Sequence, residues 1–161
     1  MTESLWSQYR AVLPFRNKRS DKPIRIRPAA REDLDALFAL DQRCFRPGIA
    51  YTKTELRYFL FHLRSVSVVA EDAEAIAGFA IVDFQLERGE RIGHIVTIDV
   101  APEQRRCGVG RLLMDALLGF CRETRAESLR LEVAVDNDAA LAFYKTLGFV
   151  ETGRIRGFYM G

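Results

Sequence analysis

The sequence holds few of the residues that metal sites and disulfide frameworks require. It has three cysteines and two histidines in 161 residues, and the spacing of Cys44, Cys107 and Cys121 fits neither a CxxC zinc site nor a paired framework. It lacks a run of about 18 apolar residues, which argues against a membrane-spanning helix. Its N-terminus lacks the apolar core of a signal peptide. We therefore expect no metal site, no membrane span, and reduced thiols in a cytoplasmic protein.

Apolar residues and charges are both abundant, but the charges are unevenly distributed. Apolar residues make up 48% of the chain and the mean hydropathy is −0.07, which excludes a disordered chain and suits one domain. The net charge of +2 argues against a general nucleic-acid binder. Residues 1–27 carry seven basic and two acidic groups, whereas residues 28–161 carry 17 and 20. This division predicts a basic arm over residues 1–23, either a loosely packed tail or a contact for nucleic acid or the ribosome, ahead of a domain over 24–161.

Hydrophobic periodicity predicts an α/β fold built on a mixed central sheet of about six to seven strands, with helices on both faces. A capping-box pattern, Thr52-Lys53-Thr54-Glu55, starts the second helix, Gly89 marks a hairpin, and Gly148 ends the last helix. Helices are predicted over 31–43, 53–63, 109–124 and 137–147. Strands are predicted over 24–27, 66–71, 76–86, 91–100, 128–135, 149–155 and from 158 onward.

A glycine-containing loop joins the strand that ends at Val100 to the next helix. It carries Arg105-x-x-Gly108-x-Gly110, with further positive charge on Arg106 and Arg111. Free backbone N–H groups at a helix N-terminus form an anion site, and glycines let a pyrophosphate approach the backbone. The loop matches neither a Walker loop nor the GxGxxG fingerprint. On this evidence it is either a phosphate-binding loop or an ordinary tight turn.

A second stretch, from Leu131 to Phe149, places polar groups beside a strand and on a helix. Glu132 points away from the apolar face of its predicted strand, where a partly desolvated carboxylate suits general-base chemistry. The alternative is a salt bridge to Arg130 or another arginine. Asn137 and Tyr144 are seven residues apart and share one helix face, so Tyr144 either meets the ligand of the glycine loop or packs in the core. His94 is predicted as a packed strand residue and Cys107 as a spacer.

These stretches, with Gly93–Val100 before them, resemble the GCN5-related N-acetyltransferase superfamily. The resemblance covers about residues 24–160 and is greatest to the ribosomal-protein alanine N-acetyltransferases and related N-terminal acetyltransferases. The acetyl-CoA loop of the family falls on Arg105–Gly110, and its Leu-Glu-Val, Asn, Tyr and Gly-Phe positions fall within Leu131–Phe149. Two departures are Ala134, where this branch usually carries Arg, and Phe158, where it often carries a second Tyr.

The resemblance implies direct transfer of an acetyl group from acetyl-CoA to a primary amine. It implies a sheet splayed between the fourth and fifth predicted strands, where the thioester enters. Glu132 would take a proton from the acceptor ammonium and Tyr144 would protonate the departing thiolate. Tyr51 and Tyr159 would shape the acceptor site. The residues implied in cofactor binding are Ile98, Val100, Arg105, Arg106, Gly108, Val109, Gly110, Arg111, Asn137 and Tyr144.

The expected acceptor is a protein N-terminal amine, of the ribosomal-protein type. One alternative is a small-molecule amine such as a polyamine, an antibiotic or an amino acid. Another is a module that senses acetyl-CoA or binds the ribosome without turnover. An open groove lined by Tyr51 and Tyr159 would favour a peptide, and a closed acidic pocket would favour a small molecule. We expect a monomer or a weak dimer.

Overall fold

Among the residues that the structure describes, six β-strands lie side by side in one sheet, in the order in which they occur in the sequence. The computed structural model describes residues 15–16, by their backbone, and residues 23–156. The strands are β1 (Phe15–Arg16), β2 (Pro23–Pro28), β3 (Ser65–Glu71), β4 (Ile76–Glu87), β5 (Glu90–Val100) and β6 (Ser128–Arg130). Neighbours are antiparallel except β5 and β6, which are parallel. The predicted mixed sheet is confirmed.

Four α-helices of the described residues pack on the sheet. Local sequence signals mark where they begin and end. They are α1 (Leu34–Cys44), α2 (Lys53–Phe61), α3 (Val109–Glu123) and α4 (Asp138–Thr146), with short 3-10 turns at Arg31–Asp33 and Pro102–Gln104. The Thr52 side chain accepts from the Glu55 backbone N–H, and Glu55 accepts from the Thr52 N–H, so the predicted capping box starts α2. Asn137 caps α4 by accepting from the Ala140 N–H.

β4 carries the core on both of its faces because helices cover the sheet from both sides. Phe79 and Ile81 face α1 and α2, where they pack with buried leucines such as Leu37. The alternate residues face α3 and pack with a second cluster that includes Leu113, Met114, Leu117 and Phe120. A strand buried on both faces is apolar throughout, which explains the unbroken run from 77 to 82.

The sheet ends earlier than the sequence pattern predicts. The predicted strand 128–135 pairs only over Ser128–Arg130, and the predicted strand 149–155 is irregular. Alternating hydrophobicity shows which face of a strand each side chain takes, but it does not show whether a neighbouring strand lies within hydrogen-bonding distance. The pairing with β6 stops because β5 diverges from it after His94. The strand expected from 158 onward lies outside the described residues. The same holds for the predicted arm, except that Phe15 and Arg16 pair with β2.

Among the residues that the structure describes, the helices are too short or too polar to span a bilayer.

Gly78 lies opposite Val100 where β4 and β5 meet α3, and we expect Gly78→Ala to destabilise the protein. A Cβ at Gly78 would lie 2.5 Å from the carbonyl oxygen of Asp99 and 3.2 Å from Leu113 Cδ1. Overpacking of this kind costs about 1–3 kcal/mol of unfolding free energy. Denaturant unfolding followed by circular dichroism measures it. The matched control is Gly153→Ala, whose added methyl meets nothing within 4 Å. Equal unfolding free energies for the two variants would contradict the packing described here.

Candidate active site

The two parallel strands β5 and β6 separate after three residue pairs. Their pairing runs from Ile92 opposite Ser128 to His94 opposite Arg130. β5 then continues for six residues to Val100, while the chain after Arg130 leaves the sheet. In the part of the chain that the structure describes, this half of β5 therefore pairs on one side only, with β4. The splay expected between these two strands is present.

The backbone of β5 turns hydrogen-bonding groups into this gap. Ala101 donates its N–H to the carbonyl of Ala77 at 2.9 Å, which continues the ladder to β4. Because antiparallel ladders alternate, the N–H and C=O groups of Ile98 and Val100 point to the other side, away from β4. The Val100 carbonyl accepts weak bonds there from Cys44 Sγ and Arg105 Nε. Ile98 and Val100 thus occupy the positions that a ligand added as an extra strand would need.

The glycine loop after Val100 has the conformation of an anion-binding turn. Arg106 and Gly108 adopt left-handed φ angles of 58° and 87°, and Gly108 directly precedes the first turn of α3. No acidic residue lies in that first turn. The positive end of the helix dipole therefore lies near two arginines, of which Arg105 donates to the Val100 carbonyl and Arg111 pairs with Asp115 along α3. These residues fit the diphosphate group of a CoA-type ligand better than an ordinary turn, where acidic residues would stabilise the helix start.

Three residues of this loop serve packing. Val109 is 1% exposed, so only its backbone N–H can face a ligand. Cys107 is also buried, and its thiol donates to the Arg105 carbonyl. A Cβ added to Gly110 would meet the Phe143 ring of α4 at 3.4 Å, so this glycine allows α3 and α4 to approach closely. The predicted spacer role of Cys107 agrees with this arrangement.

Tyr144 is held in place by the end of α4. Gly148 has φ of 89°, and the Phe149 N–H donates to the Tyr144 carbonyl while the Gly148 N–H donates to Lys145. This is a Schellman ending, in which Phe149 folds back onto the helix. The Phe149 and Tyr144 rings meet at 5.6 Å. The Tyr144 side chain therefore packs beside the α3 core, while its partner on the helix face, Asn137, is exposed at the N-terminus of α4.

His94 and Glu132 form a close pair where β5 and β6 begin to separate. The distance between His94 Nε2 and Glu132 Oε2 is 2.6 Å, and the two side chains are 32% and 30% exposed. Arg130 pairs instead with Glu87 at 2.9 Å, so the expected alternative for Glu132, a bond to Arg130, is wrong. His94 lies in β5 and is partly buried, in line with its prediction as a packed strand residue, but its contact with Glu132 was not predicted. Its signal was present in the sequence, since His94 alternates with the inward-facing Gly93 and Ile95.

A β-bulge interrupts β5 two residues beyond His94. Ile81 pairs with Thr97 but Val82 pairs with Ile95, so Val96 is the extra residue. The Tyr51 hydroxyl donates to the Val96 carbonyl at 3.2 Å, and the Tyr51 ring packs edge-on against Phe59 of α2. Tyr51 is therefore anchored to β5 two residues beyond His94. Tyr159 lies outside the described residues.

An ion pair joins the two sides of the gap. Arg46, in the segment between α1 and α2, pairs with Asp136, in the segment between β6 and α4, at 2.9 Å. Both side chains are largely exposed, so the pair contributes little free energy. It nevertheless shows that the segment carrying Tyr51 and the segment carrying Glu132 approach each other over the splay. Within the described residues, no three His, Cys, Asp or Glu side chains are arranged to hold a metal ion.

Comparison with known proteins agrees with this architecture. Residues 34–149 match the model of the acetyltransferase (GNAT) family. The chain is 31% identical over 160 residues to an N-alpha-acetyltransferase of Sulfurisphaera tokodaii, covering 91% of this chain and 92% of that one. It is 32% identical over 111 residues to N-alpha-acetyltransferase 30 of Schizosaccharomyces pombe, covering 68% and 74%. The crystal structure of the ribosomal-protein-S18-alanine N-acetyltransferase of Escherichia coli superposes with a TM-score of 0.74 at 26% identity, covering 84% and 83%.

A sheet splayed beside a glycine turn at a helix N-terminus, matched over most of the chain, is the architecture of an acyltransferase class. The chain belongs to the acetyltransferase (GNAT) family. It is an acetyl-CoA-dependent N-acetyltransferase.

We expect Arg111→Gln to weaken CoA binding without weakening the fold. A cation at the N-terminus of α3 opposes the helix dipole, but Arg111 Nε also pairs with Asp115 Oδ1 at 3.2 Å on the exposed helix surface. These two small effects offset each other, so stability should change little. The lost contact to a phosphate should cost about 1.5 kcal/mol of binding free energy. Calorimetric titration with CoA and thermal unfolding without it measure the two effects. The control is Arg122→Gln, in the last turn of α3, which should leave CoA affinity unchanged. Equal CoA affinities for both variants would refute the placement of the phosphates.

Proposed function

We propose that this enzyme acetylates the α-amino group of protein or peptide N-termini, of the ribosomal-protein type. The observation that carries the proposal is the His94–Glu132 pair, which lies where β5 and β6 begin to separate, two residues before the Val96 carbonyl that accepts from the Tyr51 hydroxyl. Relatives named as N-alpha-acetyltransferases match up to 91% of the chain. The pair is about one third exposed, as expected for a groove that admits a peptide rather than for a closed pocket.

Glu132, with His94 as its partner, handles the proton of the acceptor. A primary ammonium must lose a proton before its nitrogen can attack a thioester carbonyl. Glu132 takes that proton, directly or through water, and the 2.6 Å contact lets His94 stabilise either protonation state. His94 thus extends the role predicted for Glu132 alone.

The remaining residues orient and complete the reaction. Acetyl-CoA supplies the activated acetyl carbonyl and the thiolate leaving group. Ile98 and Val100 hold the pantetheine arm by their backbone groups, and the loop from Arg105 to Arg111 holds the pyrophosphate with its N–H groups. Asn137 contacts the cofactor arm, and Tyr144 donates a proton to the departing thiolate. Tyr51 lines the peptide groove, and Tyr159, which lies outside the described residues, stays a predicted residue of the same site.

The acceptor class is tested with arrays of N-terminal peptides and labelled acetyl-CoA, beside polyamine, aminoglycoside and amino-acid acceptors. Transfer to free peptide N-termini, abolished when those termini are blocked, supports the proposal. Transfer to small amines alone would replace it with the small-molecule alternative. Acetyl-CoA binding without transfer to any acceptor would favour a sensing module. Ribosome contact through residues 1–23, a cytoplasmic location and a monomer or weak dimer stay predictions of the sequence.

Glu132→Gln should lower kcat by about 10²- to 10⁴-fold, the usual contribution of a general base. The affinity for acetyl-CoA should be unchanged, because the phosphate loop and the β5 backbone are intact. Steady-state kinetics and calorimetric titration measure the two quantities. The matched control, Glu127→Gln, changes an exposed carboxylate just before β6 and should retain full activity. Normal turnover by the Glu132→Gln variant would remove Glu132 from the mechanism.

A further inference from the structure

Two buried carboxyl groups, which the mechanism above does not use, face each other between α1 and β5. Asp41 of α1 is 0% exposed and Asp99 of β5 is 1% exposed. Their carboxyl groups lie close enough to interact electrostatically and to share a hydrogen bond. Two ionised carboxylates in such a place would repel each other and lose their hydration, so both cannot be charged at modest cost.

The hydrogen bonds around the pair leave one oxygen of each carboxyl without a partner. Asp41 Oδ2 accepts from the Tyr51 backbone N–H at 2.9 Å and from Gln42 Nε2 at 3.2 Å. Asp99 Oδ1 accepts from the Thr97 hydroxyl. Asp41 Oδ1 and Asp99 Oδ2 are buried and unpaired. A single proton between these two oxygens satisfies both, which is the simplest way to remove two buried orphan acceptors.

The charged and titratable neighbours favour a proton on Asp99. Burial, reinforced by the Asp41 charge, raises the pKa of Asp99 well above its usual range. Burial raises the pKa of Asp41 to about 6, although the Tyr51 N–H opposes the shift. From the glycine loop, Arg105 lowers the pKa of Asp99, but only as a smaller effect. Burial raises the pKa of the adjacent Cys44 thiol to about 11, so Cys44 stays neutral.

We propose that Asp99 stays protonated at neutral pH and donates to Asp41. This shared proton positions the segment that carries Tyr51, between α1 and α2, on β5. Asp41 then holds the Tyr51 backbone, and the Tyr51 hydroxyl holds the Val96 carbonyl two residues beyond His94. Asp41 and Asp99 are positioning residues, since they act on the acceptor through Tyr51. The consequence for the acceptor rests on the proposed function, whereas the shared proton does not.

The shared proton gives stability a definite pH dependence. The native chain keeps a proton that an unfolded aspartate loses near pH 4. Stability from this pair is therefore fully present below about pH 4 and falls as the pH rises toward the raised pKa of Asp99. Over that window the unfolding equilibrium constant should increase by up to about tenfold per pH unit for one proton.

Asp99→Asn is the decisive variant, because an amide N–H can donate to Asp41 at every pH. We expect it to fold and to keep its activity at neutral pH. Its stability should no longer fall as the pH rises above about 4. The matched control is Asp83→Asn, another buried carboxyl, which bonds to Ser65 and Gln85 rather than to an acid. Asp83 also lies 3.7 Å from His62 Nδ1 and 4.0 Å from Arg64 Nη2. Above the range near pH 6.5 in which histidines titrate, the control should therefore keep the wild-type dependence of stability on pH. An Asp99→Asn variant with the wild-type dependence would overturn the proposal.

An infrared measurement on the wild-type protein does not depend on how the variants fold. With isotope-labelled aspartate, a protonated carboxyl band should persist at pH 8, and its absence would overturn the shared proton. The acceptor KM of the wild type should then rise more steeply at alkaline pH than that of Asp99→Asn, with the acetyl-CoA KM unaffected. If the protonated carboxyl band persists but the acceptor KM of the wild type and of Asp99→Asn changes equally with pH, the shared proton stands and its positioning role is refuted. Lack of peptide acetylation would refute the proposed function and leave the infrared and stability results to decide the pair.

Discussion

The separation of β5 from β6 after His94 is the constraint on which the rest of the site depends. A strand in the middle of a sheet forms backbone hydrogen bonds with two neighbouring strands. Beyond His94, β5 forms them with β4 alone. Within the described residues, its other edge is left without a strand partner and is open to a ligand. A strand edge exposed in this way is ordinarily a risk of aggregation. Here the segment carrying Tyr51 and the glycine loop lie against that edge and restrict what can reach it.

The same region gives up stability in several small ways that a ligand can recover. Arginines at the N-terminus of α3 oppose the helix dipole, and its first N–H groups lack partners within the helix. Arg106 adopts a left-handed φ of 58° without being a glycine. The bulge at Val96 interrupts the β4–β5 ladder. Each feature is unfavourable by itself and suits an anion or an extended chain, so the strain and the proposed binding functions coincide.

Local signals in the sequence were enough for most elements and for the turn that the glycine loop forms before α3. The capping box at Thr52, the hairpin at Gly89 and the helix end at Gly148 each depend on neighbours within a few residues, and each forms as predicted. Relations between distant residues were not predictable in this way. The pairing of His94 with Glu132 spans 38 positions and depends on where β6 stops. The pattern of alternation, which continues to Val135, cannot show where a neighbouring strand has moved away.

The contact between Asp41 and Asp99 illustrates why buried polar pairs are hard to read from sequence and still matter. An aspartate in an amphipathic helix and another in a strand each suggest a solvated face, and only the packing of α1 on β5 brings them together. The exposed ion pairs of the same region, Arg46–Asp136 and Arg43–Glu103, are screened by water and contribute little. A neutral hydrogen bond between two buried carboxyls is not screened, and it tolerates few other arrangements. The position of the segment that carries Tyr51, between α1 and α2, therefore depends more on this acid pair than on the exposed salt bridges near it.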